Sequence, residues 1–149
     1  MERAEGLESL MLSYVDTSAL IALAVPSDGN HAPAVAFLRR SAQEGRRFVV
    51  GRPVLIEYID GVTKRVGKRE AIEELHLLER STLMRVEPDV EEDHVRAREL
   101  FFRYDDQMID MTDALSFAIM ERLGLQEAFA FDADFDVHGL VRKPRGSER

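Results

Sequence analysis

Twice in this chain a short apolar run ends directly on an aspartate. Met11-Leu12-Ser13-Tyr14-Val15 delivers Asp16, and Ala128-Phe129-Ala130-Phe131 delivers Asp132. Runs this short and this apolar read as buried strands. Phe48-Val49-Val50 and Leu83-Met84-Arg85-Val86 read the same way, and Leu140-Val141 offers a last short strand. Between them the apolar residues recur at helical spacing. Thr17 or Ser18 can cap a helix carrying Leu20, Ile21, Leu23 and Ala24, and Ala34, Val35, Phe37 and Leu38 mark a second helix ending near Gly45. Pro53 opens a third, with Val54, Leu55, Tyr58, Ile59 and Val62 on its apolar spacing. Others run from Arg69 to about Arg80, from Pro88-Asp89 through Phe102, and from Thr112-Asp113 to a stop at Gly124. Strands separated by helices require a mostly parallel sheet, because parallel neighbours are joined by helical crossovers. The fold class is α/β.

That architecture gives Asp16 and Asp132 a meaning. Both follow strands, and in an open parallel sheet ligands bind at the carboxyl edge. Asp113 lies in the first turn of a helix behind its expected cap Thr112, and Glu57 is the acid within an otherwise apolar helix face. Singly, each aspartate reads as a helix cap and the glutamate as an exposed turn. Jointly, four carboxylates that can converge repel one another unless hard cations lie between them. Oxygen-only donors suit magnesium or manganese, and magnesium is commonly held by one or two carboxylates, water and substrate phosphate oxygens. Such a centre hydrolyses phosphodiesters without a histidine, serine or cysteine nucleophile.

Bulk properties narrow the field. With 149 residues, 45% hydrophobic, the chain suits one domain. Cysteine is absent, which excludes thiol chemistry and thiolate metal sites and fits a reducing compartment. No apolar run is long enough to span a bilayer, so a cytoplasmic protein with no membrane association is expected. The net charge of −8 argues against coating nucleic acid through a broad basic face, yet leaves room for a local nuclease site with a few arginines on phosphates.

The residues around the four acids resemble the PIN domain, and within it the VapC-type toxin ribonucleases of toxin–antitoxin modules. The resemblance rests on Val15-Asp16-Thr17-Ser18-Ala19-Leu20, Val54-Leu55-Ile56-Glu57, Met111-Thr112-Asp113-Ala114-Leu115-Ser116-Phe117-Ala118 and Ala130-Phe131-Asp132-Ala133-Asp134-Phe135, in that order. It spans Tyr14 to Leu140. It implies a three-layer α/β/α PIN-like fold with a central parallel sheet over residues 11–143, leaving 1–10 as an extension and 144–149 as a polar tail. It further implies a metal-dependent endoribonuclease in which Asp16, Glu57, Asp113 and Asp132 are catalytic and bind magnesium, with manganese as substitute. Ser18 is then the small hydroxyl residue beside the first aspartate. The implied partners are an RNA substrate, a cognate antitoxin and a second copy, with Leu55, Tyr58 and Ile59 as a candidate dimer face. Ile56 and Ala130 depart from the asparagine and the threonine or serine common at those positions, without removing a charge.

Rival readings are weaker. Asp132, Asp134 and Asp136 mimic the start of a calcium loop, but Val137 and Lys143 stand where it needs glycine and glutamate. Glu73-Glu74-Leu75-His76 and Glu91-Glu92-Asp93-His94 contain the Glu-x-x-His of di-iron bundles, yet strand signals and Pro88 interrupt such a bundle. His76 and His94 are expected at the surface, as are Asp134 and Asp136. A stand-alone RNA-processing PIN nuclease and a PIN module that binds without cleaving are the remaining alternatives.

Overall fold

The computed structural model describes residues 12–145. The expected 1–10 extension, the first residue of the Met11 strand and residues 146–149 of the tail lie outside them. Five strands, β1 (Leu12–Val15), β2 (Arg47–Gly51), β3 (Met84–Glu87), β4 (Glu127–Phe129) and β5 (Val141–Lys143), form one sheet in the order β3-β2-β1-β4-β5. Every neighbouring pair is parallel, with Tyr14 opposite both Val49 and Ala128.

Seven helices accompany the strands among the described residues: α1 (Thr17–Ala24), α2 (His31–Gln43), α3 (Arg52–Arg65), α4 (Lys68–Arg80), α5 (Glu91–Arg103), α6 (Met111–Leu123) and α7 (Asp134–Val137). Successive strand residues face opposite sides of a sheet. Phe48, Val49 and Val50 are all fully buried, as are Tyr14 and Val15, so helices cover both faces and the three-layer α/β/α architecture follows. Phe37 on α2 packs edge-on to Phe48 and Phe129, tying that helix to β2 and β4. These apolar contacts hold the strands in register and so fix what stands at their ends.

The helix boundaries depart from the sequence expectations in instructive ways. Asp16 itself is the cap of α1, accepting from the Ser18 amide, so Thr17 is already helical. Asp110, and not Thr112, caps α6, while Pro53 and Gly124 stand at the start of α3 and the end of α6 as anticipated. The β4 ladder stops at Phe129, the Ala130 amide making its last bond, to the Lys143 carbonyl of β5. Asp132 is therefore reached through a short turn, and the four-residue α7 follows it without a sequence signal that announced it.

A carboxylate crevice at the sheet switch point

From β1 the chain builds outward through β2 and β3, then returns to the other side of β1 to lay down β4 and β5. The reversal lies between β1 and β4, and helix connections diverge there to leave a crevice beyond the strand ends. Asp16 leaves β1 and Asp132 follows β4, which brings them to this crevice. The Asp16 amide donates to the Phe129 carbonyl at 3.0 Å, continuing the β1–β4 pairing to the edge.

Ser18 joins the two walls. Its hydroxyl donates to Asp16 Oδ2 at 2.7 Å and accepts from the Phe131 amide at 3.0 Å. Asp16 is only 8% exposed. Burial raises its proton affinity and the nearby Asp132 charge adds to this, while the Ser18 hydroxyl and amide oppose it. Asp132 Oδ1 accepts from the Asp134 amide at 2.9 Å, which orients the turn.

The third acid is reciprocally braced. The Asp113 amide donates to Asp110 Oδ1 at 2.8 Å, and the Asp110 amide returns to Asp113 Oδ2 at 3.1 Å, satisfying two orphan donors of α6. The Asp113 carboxyl is pushed up to about 8, first by burial and then by the Asp110 and Asp134 charges. Asp134 is raised as well, by burial and then by the Asp132 charge, with the Asp110 charge adding to it. Carboxylates this close disfavour joint ionisation unless a cation lies among them.

Asp16, Asp132, Asp134, Asp113 and Asp110 thus form a continuous acidic run. Glu57 stands exposed on α3, its Oε1 accepting from Thr17 Oγ1 at 2.6 Å, one residue from Asp16. Among the described residues no three acids close into a preformed cage. The donor set nonetheless fits a hard divalent ion: it is all oxygen, and neighbouring charges raise the proton affinity of Asp16, Asp113 and Asp134. Magnesium retains water and demands few protein ligands.

Two residues of this run were not expected in it. Asp134, expected to face solvent, is half-buried, with its amide on Asp132 Oδ1 and its carboxyl within reach of the Asp132 and Asp110 charges. Asp110 was masked by the more conspicuous Thr112; an aspartate three residues before Asp113 is the capping-box spacing that could have revealed it. Asp136 behaves as anticipated, exposed and paired with Arg142. His94 is partly exposed beside Asp89, and His76 is exposed on α4, so neither approaches a di-iron arrangement. Leu55 and Tyr58 are buried in the core at 9% and 3% exposure, which removes them as a dimer face.

An open parallel sheet with acids gathered at its switch point defines a class of α/β protein with an oxygen-donor centre, and the chain belongs to the PIN domain family, whose model matches residues 13–139. Among particular relatives, it is similar to the 23S rRNA-specific endonuclease VapC20 of Mycobacterium tuberculosis, at 34% identity over 86% of this chain and 95% of that protein. The crystal structure of VapC20, described as a sarcin-ricin loop cleaving toxin, superposes with a TM-score of 0.76 at 33% identity, covering 87% of this chain and 96% of that one. VapBC2 from Rickettsia felis, solved with a promoter DNA fragment, has a TM-score of 0.68 at 15% identity, over 89% of this chain and 98% of that chain. That level of identity carries the fold alone.

Proposed function

We propose that this chain is a metal-dependent endoribonuclease of the VapC toxin type, cutting RNA phosphodiester bonds at the crevice between β1 and β4. The observation that carries the reading is the acidic run from Asp16 through Asp132 and Asp134 to Asp113 at the sheet's switch point. The likeness to an endonuclease named for 23S rRNA supports RNA as the substrate, with a ribosomal RNA hairpin as the first to try.

Asp16, Asp113 and Asp132 would hold magnesium or manganese, with Asp134 beside them and Glu57 turning in from the Thr17 contact. When bound, such an ion supplies a nucleophilic water near neutral pH and charge neutralisation at the phosphate. The chain's own residues do the rest. Ser18 fixes the Asp16 carboxylate against the β4 turn, and the Asp110 amide fixes that of Asp113. Ser18 thus acts through orientation, as outer hydrogen-bond partners commonly do for metal-holding carboxylates.

A cognate antitoxin completes the proposal, supported by the fold shared with VapBC complexes, and a homodimer is proposed beside it. The PIN domain is proposed to extend over 11–143. No helix among the described residues is long and apolar enough to cross a membrane, and a cytoplasmic location is proposed with it. The test is cleavage of a ribosomal RNA hairpin and of mixed cellular RNA by purified protein, with magnesium, manganese or EDTA, beside Asp16→Asn and Asp113→Asn. Defined products that need metal are expected, with a loss of about a hundredfold or more in either variant. Wild-type cleavage by either variant removes that residue from the site.

A further inference from the structure

His138 follows α7 and is only 10% exposed at its side chain. Its ring stacks on Phe117 of α6, with centroids 4.9 Å apart and planes 10° from parallel. Nε2 meets Glu121 Oε2 at 2.8 Å, and Nδ1 meets the Tyr104 hydroxyl. The Glu121 carboxylate only accepts, so Nε2 carries the hydrogen; for the neutral ring, Nδ1 accepts and Tyr104 donates. Every polar atom of the imidazole is thereby used.

The three elements joined at this ring lead to or carry Asp110, Asp113 and Asp134. Tyr104 caps the end of α5 and begins the turn that leads to Asp110. Phe117 and Glu121 lie on α6, four and eight residues beyond Asp113. His138 lies four residues beyond Asp134, and Phe135 between them packs edge-on against the same Phe117 ring at 5.4 Å. Two further anchors hold α7: Phe135 is fully buried, and Asp136 makes a bidentate pair with Arg142 at the surface.

We propose that His138, clamped by Tyr104 and Glu121 on the Phe117 ring, is a positioning residue that sets where Asp134 stands relative to Asp113 and Asp110. It touches neither the acids nor a substrate. It acts through α7, a helix too short to hold its own place. The consequence rests on the metal reading given above: loosening the clamp lets Asp134 drift and weakens cation binding while the sheet remains folded.

Manganese binding, read by electron paramagnetic resonance of the free ion, tests this without RNA. Wild type, Asp113→Asn, Tyr104→Phe, His138→Phe and Glu121→Gln are compared, each first melted in EDTA by circular dichroism. His138→Phe keeps the stack and loses both hydrogen bonds; Tyr104→Phe loses one and serves alone if His138→Phe does not fold. Both are expected to bind manganese about tenfold more weakly, the lower end of what losing a supporting hydrogen bond does to a metal site. Cleavage should return toward wild type at saturating manganese. Glu121→Gln gives up its ion pair with Arg96 but still accepts from the imidazole, so its manganese affinity should match wild type. Wild-type affinity in both clamp variants overturns the positioning role, as does a loss in Glu121→Gln as large as theirs, which would track stability instead. If wild type binds no manganese, or Asp113→Asn binds it equally well, the metal reading itself fails and takes the positioning with it.

Discussion

At the scale of single residues, the carboxyl of Asp113 governs how the metal-free protein responds to pH. Its folded value, pushed up to about 8 mainly by burial, lies above the value near ~4 of an unfolded aspartate. Between the two, the folded chain keeps a proton that the unfolded chain has lost, so stability falls as pH rises through this window and stays reduced above it. Asp16 and Asp134, shifted the same way, add to the trend. Asp89 and Glu121, held low chiefly by hydrogen bonds from His94 and Arg96, lose their contribution only in more acid solution. In EDTA the protein is expected to melt higher at about pH 5.5 than at about pH 8.5, and Asp113→Asn to shrink the difference. An unchanged difference in that variant would remove Asp113 as its source. Asp16, Asp132 and Asp113 were legible in the sequence because strand ends and helix starts are local signals. Asp134 was not, since its direction depends on the path of α7 against Phe117, a contact between distant residues.

At the scale of elements, β2 and β1 are joined by a close fit that propensity does not express. A Cβ placed on Gly51 would lie 2.2 Å from the Tyr14 hydroxyl, and that hydroxyl donates to Ser116 on α6 within the core. The glycine makes room for a tyrosine that pins a helix to the sheet. Gly51→Ala is expected to cost about 1–3 kcal/mol in urea denaturation, the usual scale of overpacking. Adding Tyr14→Phe should recover part of that loss by removing the closest atom; additive costs would mean that the two do not meet. Strand order of appearance and helix existence were readable from periodicity, whereas ends were misplaced wherever a side chain rather than spacing decided them. Asp16 and Asp110 as caps are of this kind. Each depends on a hydrogen bond whose partner must be in place before the choice exists.

At the scale of the whole molecule, an acidic protein with several carboxylates gathered in one crevice gains stability from a divalent cation bound there. Manganese at about a hundred times its dissociation constant should stabilise the fold by about 2.7 kcal/mol, seen as a rise in melting temperature that EDTA reverses. Asp113→Asn should lose most of that rise; a rise of equal size would move the binding elsewhere on the surface. A two-chain mass by light scattering at micromolar concentration is expected for the homodimer, and a single-chain mass removes it. Helical spacing marks Leu55, Tyr58 and Ile59 as apolar without saying whether the chain or a second copy covers them, so no dimer face was legible there. The chain covers Leu55 and Tyr58.

The placement of β1 between β2 and β4 orders events during synthesis. Synthesis presents Asp16 before Glu57 and Asp113, yet the wall that completes the crevice waits for residues 127–132. A fragment ending before β4 carries three of the four expected acids but lacks the Phe131 amide that engages Ser18 and the turn that brings Asp132. The crevice is therefore complete only once β4 and the turn after it have been added, and a fragment that ends before residue 127 is expected to lack it.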